Sequence, residues 1–204
     1  SLITLEAYNK ACKEFHGKFI EYKKRRAVHF GAHVTLLFDD ELTIRYQVQE
    51  MLRIERIFEE AGIDDELSAY NPLVPDGANP KATRLIEYED VDERARMLAK
   101  LKGIEDKIWL RIADHAPVYA IADEDLEREN DEKTASVHFL RFELTPLMIR
   151  TVKLGADIAM QLDECLKLPA TRSEIERAMN LSLRWAERSK YAFESGGGQR
   201  LARR

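Results

Sequence analysis

Residues 45–56 read Arg45-Tyr46-Gln47-Val48-Gln49-Glu50-Met51-Leu52-Arg53-Ile54-Glu55-Arg56, and their spacing predicts an amphipathic helix. At 100° per residue, one face of this helix is apolar and carries Ile44, Val48, Met51, Leu52 and Phe58. The opposite face is polar and carries Arg45, Gln49, Arg53, Arg56 and Glu60. Glu55 falls within the apolar face, where a carboxylate costs free energy unless it is paired, hydrogen-bonded or protonated. The helix is therefore expected to cover a core, and Glu55 is expected to have a role beyond folding.

Two interpretations of Glu55 are open. In the first, Glu55 forms a buried ion pair or hydrogen bond with an arginine of another element, the candidates being Arg84, Arg111 and Arg141. In the second, Glu55 lines a pocket between helix and sheet, where it binds a divalent metal or acts as a general base. Glu50 is then the second candidate catalytic carboxylate. The ligand-binding residues predicted for this pocket are Arg45, Gln47, Arg53, His138 and Arg141.

The elements before and after this helix follow from periodicity and end signals. Residues 4–26 alternate apolar positions at spacings of three and four, which predicts a helix, and residues 34–38 alternate with period two, which predicts a strand. Asp39-Asp40 offers a cap for the next helix. That helix is expected to run from about residue 43 to residue 61 and to end at Gly62. Residues 63–81, with three prolines, are expected to be irregular.

The second half of the chain predicts alternating strands and helices. Strands are expected at residues 82–88, 107–113, 117–122, 135–144 and 156–162, the second and third forming a hairpin. A helix is expected from Asp90, with Glu93 completing a capping box, and another from Thr145-Pro146 to Gly155. A last helix is expected over residues 172–190, with its role left open, and residues 191–204 are expected to be a disordered tail.

These elements predict an α+β fold, in which a mixed or antiparallel sheet of about five strands packs against several amphipathic helices. Residues 1–190 are expected to form a single domain. The proline-containing loop at residues 63–81 is the place where a sub-boundary would fall.

Composition narrows the class of protein. Of 204 residues, 45 % are hydrophobic and 34 % are charged, which argues for a well-solvated surface. No apolar run approaches the roughly 20 residues that span a bilayer, and the N-terminus lacks the pattern of a signal peptide. We therefore expect a cytoplasmic protein with no membrane contact. The net charge of −5 argues against nucleic acid as a partner.

No cofactor is evident from motifs. Two distant cysteines, Cys12 and Cys165, cannot hold an iron–sulfur cluster or a four-cysteine zinc site, and are expected to be reduced thiols. The chain has no glycine-rich phosphate loop, HExxH or GxSxG. A divalent metal remains possible at Glu55 or at His29 and His33. On a strand, however, these two histidines lie about 13 Å apart, too far to share one ion.

One local charge cluster stands out, Lys23-Lys24-Arg25-Arg26. We expect it at a helix C-terminus, where cations interact favourably with the helix dipole. A phosphate or an acidic partner at this cluster is the alternative.

Several segments together resemble a known family. They are Lys23-Lys24-Arg25-Arg26, Gly31, Leu36-Leu37-Phe38, and residues 47–55, 66–71 and 137–142. Over roughly residues 1–163 the chain resembles the bacterial family known as domain of unknown function 3501. The resemblance implies a small protein whose gene lies near those for rubrerythrin-like proteins and cysteine-rich iron–sulfur oxidoreductases. It implies a supporting role in redox or peroxide metabolism and supplies no catalytic residues.

Three hypotheses about function remain open. The first is an accessory or interaction partner of an iron–sulfur or rubrerythrin-like redox system, docking an acidic partner through Arg45, Arg53 and Arg56. The second is an enzyme that binds a small ligand or a divalent metal, with Glu55 and Glu50 as acid, base or ligand. The third is a homodimeric structural module packed through the N-terminal helix.

Overall fold

The computed structural model describes residues 2–122 and 133–162, with residues 12–14 described as backbone only. In chain order the elements are α1 (Leu5–Lys24), β1 (Ala27–Phe30), β2 (Val34–Phe38), α2 (Glu41–Glu55), α3 (Glu60–Tyr70), β3 (Lys81–Ile86), α4 (Val91–Lys100), β4 (Ile108–Ile112), β5 (Val118–Tyr119), β6 (Ile121–Ala122), β7 (Val137–Arg141), α5 (Pro146–Lys153) and β8 (Ile158–Leu162). Short 3-10 turns occupy Asn71–Leu73 and Glu105–Lys107.

The strands form two antiparallel sheets that share one core. The larger sheet has the order β1-β2-β3-β7-β6, and the smaller has the order β5-β4-β8. Alternate side chains of both sheets point into the common core, because successive residues of a strand face opposite sides. Examples of fully buried core residues are Phe30, Leu36, Phe142, Leu110 and Ile112.

A helical layer covers the opposite face of the larger sheet. A second apolar cluster, centred on Ile44, Val48 and Leu52 of α2, packs against Leu67 of α3. The Tyr70 ring meets Phe139 of β7 edge-on at a centroid distance of 6.3 Å. The α+β class predicted from sequence is confirmed, with a second three-stranded sheet added to the expected one.

Capping residues in the sequence determine where four of the helices begin. Thr4, Asp40, Asp90 and Thr145 occupy the N-cap positions of four helices, and each side chain accepts a backbone N–H of the first turn. Asp40 and Thr43 form a reciprocal capping box at the start of α2. The predicted starts of α4 and α5 are therefore confirmed.

The predicted course of residues 43–81 is wrong in two places. Helix α2 ends at Glu55, because Arg56 adopts the left-handed conformation (φ 57°, ψ 43°) and turns the chain away. A further helix, α3, then occupies much of the segment expected to be irregular. Gly62 lies inside α3 rather than at a helix end. A Cβ added there would come within 2.7 Å of Ile57 Cγ2, so the close approach of this side chain favours glycine.

The predicted strand at residues 117–122 is divided between the two sheets. Val118 and Tyr119 pair with β4 of the smaller sheet, whereas Ile121 and Ala122 pair with β7 of the larger one. Between them Ala120 is buried and donates its N–H to the Ile108 carbonyl oxygen at 2.8 Å. The hairpin of β4 and β5 is as predicted.

The predicted helix at 172–190, the tail at 191–204 and Cys165 lie outside the described residues, and the side chain of Cys12 is likewise not described. Among the described residues, none of the helices combines the length and the apolar composition needed to cross a membrane.

Candidate functional site at the α1–α2 junction

The end of α1, the end of β2 and the start of α2 meet around a buried ion pair. Arg26 Nη2 lies 2.6 Å from Asp40 Oδ2, and the two side chains are 3 % and 0 % exposed. Tyr22 donates its hydroxyl to the same carboxylate oxygen and accepts from Arg26 Nη2 at 2.8 Å. Burial and the Asp40 carboxylate raise the pKa of Tyr22 to about 12. Asp40 also caps α2, so one carboxylate joins three elements.

Asp39, the neighbour of Asp40, is a buried carboxylate held by hydroxyl groups. Oδ1 accepts from the Thr43 hydroxyl at 2.9 Å, and Oδ2 accepts from the Thr83 hydroxyl of β3 at 2.7 Å. Burial raises the pKa of Asp39 to about 6, although both hydrogen bonds oppose the rise. A carboxyl group that titrates near neutral pH is suited to acid–base chemistry.

Lys23 lies on the same side of the molecule, beside two aromatic rings. The Phe19 and Tyr46 rings stack at a centroid distance of 3.7 Å, and Lys23 Nζ lies 5.3 Å and 5.6 Å from their respective centroids. Burial lowers the pKa of the Lys23 ammonium, against the attraction of the Asp39 and Glu50 carboxylates. Among the described residues, no salt bridge to Lys23 is present.

Glu50 of α2 extends the polar contacts along the seam between the two helices. It accepts hydrogen bonds from the Tyr8 hydroxyl and, at 2.7 Å, from Arg53. Partial burial favours a higher pKa for Glu50, but these two hydrogen bonds, together with the charges of Arg53 and His16, lower the pKa. Burial and the Glu50 carboxylate raise the pKa of Tyr8 well above its ordinary value. His16 Nδ1 lies 2.9 Å from the Tyr46 hydroxyl.

The prediction that Glu55 points into the apolar core is wrong. The buried stripe of α2 ends at Leu52, and Glu55 is exposed in the last turn, next to the 61 % exposed Ile54. Phe58, predicted on the same apolar face, is 68 % exposed. Ile44, Val48 and Leu52 of the predicted apolar face are buried, but so is Gln49 of the predicted polar face, whose Oε1 accepts the Ile3 N–H at 3.1 Å. The last turn of α2 extends past the elements that cover the rest.

The other residues predicted on this helix lie along its partly buried sides. Arg45 pairs with Glu41 and Arg53 pairs with Glu50, so intrahelical partners occupy two of the arginines predicted to dock an acidic partner. Gln47 is half-buried, and Arg56 is exposed. Of the residues predicted for the site on this helix, Glu50 therefore lies at the α1–α2 junction, as Lys23 does.

His138 and Arg141 do not converge on a pocket with Glu55. Consecutive side chains of β7 alternate between faces, so His138 faces the core shared by the two sheets while Arg141 faces outward. Arg141 is exposed and pairs with Glu143 at 2.8 Å.

A second buried polar cluster surrounds His138. Its Nε2 lies 3.2 Å from the Thr134 hydroxyl, and that hydroxyl lies 3.1 Å from Glu105 Oε2. Arg84 pairs with Glu105 at 3.1 Å, with side-chain exposures of 0 % and 5 %. Arg84, predicted as a possible partner of Glu55, is thus paired with a different glutamate on the other side of the sheet.

The two histidines considered as metal ligands contact different groups. His29, exposed on the edge strand β1, lies 3.1 Å from the Thr35 hydroxyl. His33 stacks on Tyr88 at 4.0 Å, and its Nδ1 lies 2.9 Å from the Glu87 carbonyl oxygen. Across the described ranges, no three His, Cys, Asp or Glu residues are arranged to hold a metal ion.

The sequence predicts some residues of this site, but only as structural signals at helix ends. Asp39 and Asp40 were predicted only as a cap, and Lys23 only as one of four basic residues at a helix end. The sequence does not show that Arg26 is buried, whereas in the structure its side chain is only 3 % exposed. An arginine beside three other cations carries no local sign of burial, because the partner carboxylate lies in another element.

The fold and the site define an α+β protein with a sandwich of two antiparallel sheets and a polar, aromatic junction between its first two helices. The chain belongs to the family described as protein of unknown function DUF3501, whose model matches residues 1–183. A crystal structure of a novel protein of unknown function from Burkholderia pseudomallei is similar over 90 % of this chain and 96 % of that one. The two share 53 % sequence identity, with a TM-score of 0.81.

Short matches to curated proteins also occur. A queuine tRNA-ribosyltransferase of Rhizobium meliloti is 62 % identical over 48 residues, covering 24 % of this chain and 13 % of that protein. One from Brucella suis is 48 % identical over 62 residues, covering 29 % and 16 % respectively. The chain therefore spans only 13–16 % of the length of these two relatives.

Proposed function

We propose that this chain is a cytoplasmic accessory protein that binds an acidic segment of a partner protein at the α1–α2 junction. The observation that carries the proposal is Lys23, a half-buried ammonium against the Phe19 and Tyr46 rings with no salt bridge among the described residues. A cation that has already lost part of its hydration gains most from a carboxylate that arrives from outside.

Exposed apolar side chains flank this cation. Ile20, 43 % exposed, lies one helical turn before Lys23 on α1. Leu42, 42 % exposed, lies one turn before Tyr46 on α2. An apolar and aromatic surface with a central cation complements a segment that carries both apolar and acidic side chains.

The proposed class of partner follows from the gene neighbourhood that the family resemblance implies. We propose a rubrerythrin-like protein or a cysteine-rich iron–sulfur oxidoreductase encoded near the gene for this chain. Neither the family description nor the similar crystal structure names a partner or an activity.

Titration calorimetry with both candidate partners tests this proposal. We expect binding to one of them, weakened at least tenfold by Lys23→Glu, because the substitution replaces attraction by repulsion at the contact. Lys100→Glu, at an exposed lysine of α4, is the charge-matched control and should leave the affinity unchanged.

Two outcomes would count against the proposal. One is no binding to either partner at concentrations up to the solubility limit. The other is equal weakening by the two substitutions, which would indicate an effect of net charge alone. Sedimentation of the free chain, run in parallel, tests the homodimeric alternative.

A second candidate function is supported by Asp39. A buried carboxyl group with a pKa of about 6, near a lysine whose pKa is lowered, has the properties of an acid–base pair in an enzyme that binds a small ligand or a divalent metal. Mass spectrometry of untagged protein purified without chelators tests the metal form. One equivalent of a transition metal, lost in Asp39→Asn, would favour the enzyme over the accessory protein.

A further inference from the structure

The outer face of the smaller sheet carries a row of aromatic and basic side chains. In β4 the core-facing residues Ile108, Leu110 and Ile112 are fully buried. Trp109 and Arg111 alternate with them and therefore point away from the core. Trp109 is half-buried, and Arg111 is exposed with its guanidinium carbon 5.8 Å from the centre of the Trp109 ring.

The neighbouring strand adds a second ring beside the first. Val118 of β5 packs against the core, so Tyr119 points outward and is 49 % exposed. Tyr119 is paired directly with Trp109 in the antiparallel ladder. Directly opposite residues of such a pair have Cβ atoms about 4.5–5.5 Å apart, so the two rings share one patch.

The charge within the strands of this sheet is positive. Across β4, β5 and β8, the only charged residue is Arg111. Lys107 is the exposed last residue of the 3-10 turn Glu105–Lys107 and directly precedes β4. Along β4 the order is therefore basic, aromatic, basic. Acidic residues lie beyond both ends of β4, Asp106 just before Lys107 and Asp114 just after the strand, and Asp157 directly precedes β8.

We propose that this face binds single-stranded nucleic acid, with bases stacked on Trp109 and Tyr119 and the backbone phosphates next to Lys107 and Arg111. Aromatic side chains on an exposed sheet are stacking surfaces for unpaired bases, and interleaved cations neutralise the phosphates. Every base has an aromatic face, so such binding tolerates many sequences. The net charge of −5 opposes a polyanion at long range, so the stacked rings have to supply most of the binding; the three strands themselves carry no acidic side chain.

This inference is independent of the proposed accessory function. The α1–α2 junction lies where α1 ends and α2 begins, next to the larger sheet, whereas the patch around Trp109 lies on the outer face of the smaller one. The two sites can therefore be tested by separate substitutions in the same chain.

Fluorescence anisotropy with labelled ten-nucleotide oligouridylate and oligothymidylate tests the proposal on the full chain. We expect both single strands to bind more tightly than a duplex of equal length. Trp109→Ala and Tyr119→Ala should each weaken binding between about 5-fold and about 150-fold, the range for loss of one stacked base. Lys107→Gln should reduce the slope of log affinity against log salt by about 0.7, as expected for one phosphate contact on a single strand.

Phe58→Ala removes an exposed ring elsewhere, 68 % exposed, and is the matched control. It should leave binding unchanged, and a melting curve of each variant checks the fold. If Trp109→Ala unfolds, the proposal is decided by Tyr119→Ala and Lys107→Gln. No binding to either single strand would overturn it. So would binding that survives the aromatic substitutions, or a duplex that binds equally well, since either would indicate charge attraction alone.

Discussion

Arg26, between α1 and β1, and Asp40, the N-cap of α2, are 14 positions apart and form an ion pair of 2.6 Å with almost no solvent contact. Taking two charges out of water is costly, and the attraction between them must offset that cost. Here the Tyr22 hydroxyl and the first turn of α2 provide further hydrogen bonds to the carboxylate. The pair therefore fixes how α1 enters the β1–β2 hairpin and how α2 leaves it.

We predict that Arg26→Met lowers the free energy of unfolding by about 3–5 kcal/mol, because it leaves a buried carboxylate without its counter-charge. Urea unfolding measures the loss. Arg25→Met, at the exposed neighbouring position, should change it by less than about 0.5 kcal/mol. In a double-mutant cycle with Asp40→Asn, the combined loss should be smaller than the sum. Strictly additive losses would show that the two residues are not coupled.

Asp39 predicts a dependence of stability on pH. Its pKa in the folded protein, about 6, lies above the ordinary 3.8, so the folded state holds the proton more tightly than the unfolded state. The resulting stabilisation is complete below pH 3.8 and is lost as the pH rises through 6. The difference corresponds to roughly 3 kcal/mol over that interval.

The variant Asp39→Asn isolates this effect because it cannot ionise. Relative to the wild type, we expect it to gain stability from pH 4 to about pH 6 and the difference to level off above that, as measured by urea unfolding at each pH from 4 to 7.5. A difference between variant and wild type that is constant over this range would mean that Asp39 keeps an ordinary pKa in the folded protein.

An exposed Glu55 predicts little effect on stability. Glu55→Gln should change the free energy of unfolding by less than about 0.5 kcal/mol. Glu105→Gln, at a glutamate that is 4 % exposed and paired with Arg84, should lower it by about 3–5 kcal/mol. Thermal melts of the two variants side by side provide the comparison. A large loss from Glu55→Gln would instead support the buried ion pair suggested by the helix pattern.

The end of α2 offers a stabilising substitution. Arg56 has φ 57°, a conformation that costs a non-glycine residue roughly 1–2 kcal/mol. Arg56→Gly should therefore raise the free energy of unfolding by up to about 1 kcal/mol, after the greater flexibility of glycine in the unfolded chain is subtracted. Arg25 ends α1 with an ordinary φ of −72°, so Arg25→Gly should destabilise by a similar amount. Chemical denaturation distinguishes the two signs.

Sequence signals predict an element correctly where the contact that determines it is made between residues close in the chain. The caps at Asp90 and Thr145 are made within three residues, and both helix starts were predicted from sequence. The pattern does not predict helix α3, because a glycine such as Gly62 after an apolar stripe is typical of a helix end. Its actual role depends on the close approach of Ile57, and no side chain caps the start of α3 to mark it.

The candidate site is not predictable from local sequence, because its contacts join residues that are far apart in the chain. The hydroxyl that holds Asp39 Oδ2 belongs to Thr83, 44 positions further along the chain. For Glu55 the periodicity predicts a direction around the helix but not where the covering elements end, and the side chain is exposed. Periodicity measures direction around a helix, whereas burial depends on what other segments lie alongside.

The division of β5 and β6 around Ala120 has a consequence for how the protein unfolds. Neighbouring residues of one short segment belong to two different sheets, so neither sheet can detach without pulling on the hydrogen bonds of the other. The two sheets should therefore lose their structure together, in one cooperative transition. In hydrogen exchange, the amides of β4 and β7 should report the same opening free energy, although those strands never pair.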